Sequence, residues 1–71
     1  MNDADITPGM TVRGAKSGAI YEVVSKAKDG WDCRVLVPSG GSRGKGSHLT
    51  VPAYNLEPTS YSKQDEQDGL L

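Results

Sequence analysis

Residues 28–38 read KDGWDCRVLVP, and the pattern within them sets the fold class. Trp31, Cys33, Val35 and Val37 alternate with Asp32, Arg34 and Leu36. A two-residue period gives a strand with one apolar face. Asp29-Gly30, just before it, is a hairpin signal and predicts a second strand on its N-terminal side. That strand is Ala19–Ala27, AIYEVVSKA. Tyr21 and Val23 oppose Ile20, Glu22 and Val24, so both faces carry apolar residues. Such a strand is expected where a sheet bends to serve two sides.

Outward from this hairpin, turn residues recur at short intervals. Pro8-Gly9 opens a short run, Met10–Gly14 (MTVRG), and Lys16-Ser17-Gly18 closes it. Beyond Pro38 comes SGGSRGKGSH, residues 39–48, and then His48–Val51 (HLTV). Pro52 cannot donate to a ladder, so that strand ends there. Ala53-Tyr54-Asn55 suits one 3₁₀ turn, and Leu56 returns to the core in a very short last strand. Short strands separated by turn signals predict an all-β fold of about five antiparallel strands. Residues 1–7 (MNDADIT) are expected to be a disordered arm. Residues 59–71 (TSYSKQDEQDGLL) are expected to be a disordered acidic tail. The folded unit is then 8–58.

The strand order resembles an SH3-like barrel. PGMTVRG, YEVV, DGWDCRVLV and LTVPAYNLEP carry the resemblance. It implies a closed barrel with a 3₁₀ turn before the last strand, and a fold that hosts many activities. Likeness to peptide-binding SH3 domains implies an aromatic platform formed by Trp31, Pro52 and Tyr54. The residues themselves favour Trp31 as a core or edge aromatic packed beside the hairpin turn. Likeness to KOW- and Tudor-like barrels, through Val12-Arg13 in the opening strand, implies contact with nucleic acid or protein. The chain is also distantly similar in strand order to type II plasmid dihydrofolate reductases. There, His48-Leu49-Thr50-Val51 stands where that family has Val-Gln-Ile-Tyr, and Lys16 falls near its pore lysine.

Charge is distributed unevenly. The 71 residues carry a formal net charge of −1. Arg13, Lys16, Lys26, Lys28, Arg34, Arg43 and Lys45 lie between Pro8 and Pro58 with only Glu22, Asp29, Asp32 and Glu57 as acids. A basic middle flanked by acidic ends suits phosphate contacts, which confer salt-dependent affinity without reading sequence. Arg43, Lys45, Lys26, Lys28 and Arg34 are the expected nucleic-acid contacts.

Several chemistries are excluded by residue count or spacing. Cys33 and His48 are the single cysteine and the single histidine, so no internal disulfide or four-ligand zinc site is expected. Residues 39–48 do not match a nucleotide-binding P-loop. Five residues before Gly44 stands Ser39, Lys45 precedes Gly46 rather than Ser or Thr, and a strand follows. Gly41, Gly44 and Gly46 have the reverse of dinucleotide-fingerprint spacing. His48 has no acid or serine at a catalytic spacing, and Cys33 lies on an apolar face as a small hydrophobe. The expectation is a non-enzymatic binding module without a cofactor or metal. The expected function is that of a nucleic-acid-associated accessory protein or, alternatively, a protein-interaction module (adaptor or inhibitor) using Trp31, Tyr54 and its edge strands, with a type II dihydrofolate reductase-like enzyme as the remote alternative. A polar acidic start, one cysteine and no long apolar run place it in the cytoplasm, off the membrane. Self-association would suit so small a core.

Overall fold

A computed structural model describes residues 1–40 and 43–61. A short 3₁₀ turn, Asp3–Asp5, precedes five strands: β1 (Thr11–Gly14), β2 (Ile20–Ala27), β3 (Gly30–Val37), β4 (His48–Val51) and β5 (Leu56–Pro58). A second 3₁₀ turn, Ala53–Asn55, joins β4 to β5. The strands form one antiparallel sheet in the order β4-β3-β2-β1-β5.

The sheet is not closed into a barrel, which corrects the expectation of an SH3-like barrel. Five strands and the 3₁₀ turn before the last are present, but β4 and β5 are the two edges and do not pair with each other. The reason lies in β5. Its hydrogen-bonding groups are used within the chain before they can reach β4. The Leu56 N–H donates to the Ala53 carbonyl, and the Leu56 carbonyl accepts from the Met1 amine at 2.6 Å. Pro58, the last residue of β5, has no N–H to offer.

The alternation in β1 and β3 sets the core. Val12 in β1, Tyr21 and Val23 in β2, Trp31, Cys33 and Val35 in β3, Val51 in β4 and Leu56 in β5 form one buried cluster with Ile6 and Ala19. The apolar residues on both faces of β2 have a local cause. Register shifts between Ile20 and Tyr21 and between Val23 and Ser25 mark bulges, and Val24 falls in the second and is exposed. Ile20 and Leu36 are buried apart from the main cluster. Burial pushes the Cys33 thiol up to about 11, with the charge of Asp32 adding to the effect.

The β2–β3 connection is tight, with Ala27 paired to Gly30 across Lys28 and Asp29. Gly30 is required by close approach. A Cβ there would lie 2.6 Å from the Val51 carbonyl oxygen and 2.9 Å from the Pro52 Cα. The absent side chain lets the end of β4 lie against the hairpin.

Within the N-terminal residues, expected to be a disordered arm, Ile6 and Met1 are held against the core while 2–5 and Thr7 are exposed. Ile6 is 3% exposed and belongs to the core cluster, and Met1 packs against it. Asp3 accepts a hydrogen bond from the Trp31 indole N–H at 2.9 Å. One aliphatic residue in a polar stretch shows no periodicity, yet it is enough to anchor the segment when a core awaits it. The expected acidic tail lies outside the described residues from 62 onward.

Candidate functional site

The cations singled out in the sequence do not form one surface. Lys26 lies near the end of β2 and Lys28 in the β2–β3 turn, whereas Arg43 and Lys45 lie in the β3–β4 connection. The Gly46 N–H donates to the Val35 carbonyl, which sets that connection level with the far part of β3. At the rise of an extended strand, the two pairs are on the order of 20 Å apart. Several are also engaged within the chain. Arg34 pairs with Glu22 at 2.7 Å, directly across the β2–β3 ladder. The Lys26 ammonium donates to the Ala27 and Gly30 carbonyls and sits 5.6 Å from the centre of the Trp31 ring. Arg43 and Lys45 are exposed and each has an interaction of its own.

The three residues of the expected aromatic platform also separate. Trp31 is 7% exposed, with its indole N–H bonded to Asp3, so its face is not available to a peptide. Tyr54 stands out at 79% exposed, and Pro52 is half-buried. Pro52 and Tyr54 border an open cleft of about 340 Å³ that Asn2, Asp3, Lys26, Lys28 and Asp29 also line.

The feature with the clearest capacity to bind is β4. Val35 uses its N–H and C=O toward the β4 side, to Ser47 and Gly46. Alternation along β3 therefore aims Cys33 and Trp31 at their partners Leu49 and Val51. His48 and Thr50 then point their backbone N–H and C=O away from β3, to the edge. Among the described residues no strand pairs with that edge. On the solvent face, His48 Nδ1 lies 3.5 Å from an Asp32 carboxylate oxygen.

Beside this edge lies a hollow of about 230 Å³ between β4 and the β1–β2 connection. Leu49, Val51 and Pro52 form one wall, with Lys16, Ser17 and Tyr21 opposite. The Ser17 and Tyr21 hydroxyls are 3.2 Å apart, and Ser17 Oγ also accepts from the Ala19 N–H. Gly14 leaves room for this pair, since a Cβ there would lie 2.8 Å from Ser17 Oγ and 2.9 Å from Tyr21 Cε2. The hollow is smaller than the roughly 300–1,000 Å³ of small-molecule pockets and suits a single side chain better. Sequence reasoning named edge strands in general but did not choose β4 or find the hollow. The available signal was HLTV itself, which has no Lys, Glu or Pro to guard an edge.

No protein-family model matches the chain, and neither curated proteins nor solved structures yield a match. Among the described residues no helix is long and apolar enough to cross a membrane, and no three His, Cys, Asp or Glu residues cluster as metal ligands would.

Proposed function

We propose that the protein is a protein-interaction module that takes an extended segment as an additional strand on β4. The observation that carries this reading is the outward-facing backbone of His48 and Thr50 beside the apolar hollow. An added strand gains affinity from main-chain hydrogen bonds and specificity from alternate side chains. One such side chain enters the hollow, where Leu49 and Val51 supply apolar contact and Ser17, Tyr21 and Lys16 supply polar ends. This reading fits the geometry better than phosphate binding, which calls for cations gathered on one face.

The test places a photo-crosslinking residue at position 50 and, in a second protein, at position 57. Glu57 turns its backbone toward β1 and sits on the capped edge. The expected result is a protein adduct from position 50, none from position 57, and loss of the adduct when an excess of uncrosslinkable chain competes. Equal yields from both positions would overturn the assignment of the site to β4.

A further inference from the structure

We infer that the strand β4 accepts is β4 of a second copy of this chain, in a two-fold antiparallel pairing centred on Leu49. The inference rests on the reading of β4 as a strand-accepting edge and names its occupant.

Backbone geometry restricts the register. Only His48 and Thr50 aim N–H and C=O outward along β4, so a symmetric partner must bring the same residues opposite them. Centring on Leu49 sets His48 against Thr50 of the other copy, and each pair exchanges both of its bonds. Centring on Thr50 would set His48 against Pro52, which has no N–H. Centring on His48 would set Thr50 against Gly46, whose N–H is already given to Val35. The Leu49-centred register alone satisfies every outward group on both strands.

The side chains agree with this register. Leu49 and its counterpart would meet at a non-hydrogen-bonded position, where side chains approach most closely. Leu49 is half-buried and packs on the core in the single chain, so pairing covers apolar surface that is still partly wet. On the opposite face His48 meets Thr50, and β4 contains no Lys, Arg, Asp or Glu to repel its own copy. A net charge of −1 adds little repulsion between chains.

The contrast between the edges supports an occupant. Natural sheets blunt free edges with proline, charge or covering segments. β5 has all three: Pro58, the Arg13–Glu57 ion pair and the N-terminal residue bonded to its Leu56 carbonyl. β4 has no proline, no Lys, Arg, Asp or Glu and, among the described residues, no backbone hydrogen bond on its outer side. A four-residue contact is small, so the dimer is weak, with a dissociation constant on the order of 10⁻⁵ M or higher.

The test is sedimentation of the full chain from about 10 µM to about 1 mM, which brackets contacts of this strength. The mass should rise from 7.5 kDa toward twice that value. Thr50→Pro removes one outward N–H at an edge position where proline is tolerated, and it should hold the mass at one chain. Thr50→Lys places an edge-guarding charge on an exposed side chain and should do the same without altering the backbone. Folding of both variants is verified by circular dichroism. A wild-type chain that remains single at about 1 mM overturns the self-pairing. So does a mass that doubles equally in a folded Thr50→Lys variant, because the contact then lies elsewhere. The crosslinking at position 50 separates this failure from the broader one. A foreign adduct from a single-chain protein leaves β4 as a strand-accepting edge with a different occupant. No adduct removes both readings.

Discussion

The two edges of the sheet are built from strands of similar length and behave oppositely. On β5, Leu56 gives its N–H to Ala53 and its carbonyl to Met1, and Pro58 has no N–H. On β4, His48 and Thr50 turn the same kinds of group to the outside, with no strand beyond them among the described residues. The difference is not one of propensity. It comes from what the neighbouring chain does: the 3₁₀ turn and the N-terminal residues fold over β5, while among the described residues no strand pairs with the outer side of β4. An edge is closed by its surroundings and left open by their absence.

Burial at the two edges gives the largest test of this contrast. Leu56 is 1% exposed and sits in the core beneath β5. Leu56→Ala should cost about 2–5 kcal/mol in urea denaturation, as truncation of a buried leucine does. Leu49, half-buried on β4, should cost only about 1 kcal/mol when truncated. Equal losses would mean that the two edges are covered alike.

Gly30→Ala tests how β4 is held. The new Cβ would press on the Val51 carbonyl, which is backbone and cannot rotate away. A loss of about 1–3 kcal/mol is expected, with chemical-shift changes concentrated at Trp31 and Val51. Shifts spread evenly over the sheet would contradict the local clash. Asp3→Ala probes the cover at the other end. It leaves the Trp31 indole N–H without its acceptor in a nearly buried site and should cost about 1–2 kcal/mol. An unchanged midpoint would show that the N-terminal segment does not help to fix the tryptophan.

A further effect is on pH dependence. The folded state raises the Cys33 thiol above its ordinary value, so the folded chain holds that proton more tightly than the unfolded one. Its contribution is fully present below about pH 9 and is lost as pH climbs toward about 11. Denaturation midpoints should therefore fall over that window, and Cys33→Ala should flatten the fall. A midpoint that rises with pH in that window would contradict a buried thiol.

The strands and turns were legible because their signals are local. The alternation of Trp31, Cys33 and Val35, the turn at Lys28-Asp29-Gly30 and the stop at Pro52 each depend on adjacent residues, and the sheet carries all of them. Closure was not legible. Whether β4 meets β5 depends on hydrogen bonds made by Leu56 with Ala53 and Met1, and no period in either strand records them. Ile6 was missed for the same reason, since a single apolar residue becomes an anchor only when a distant core receives it. The site residues depend on placement in the same way. Lys26 and Lys28 sit near Arg43 and Lys45 in the chain, but β3 runs between them and holds the pairs apart. Trp31 followed the core reading, because β3 turns its odd-numbered side chains into the cluster that contains Val35 and Cys33.

Amide hydrogen exchange on the single-chain protein, at low concentration, tests the open β4 edge most directly. The amides of Leu49, Val51 and Leu56 should exchange slowly, while those of His48 and Thr50 exchange near the rate of unstructured chain. Protection of Thr50 equal to that of Leu49 at a concentration where only one chain sediments would contradict an open β4.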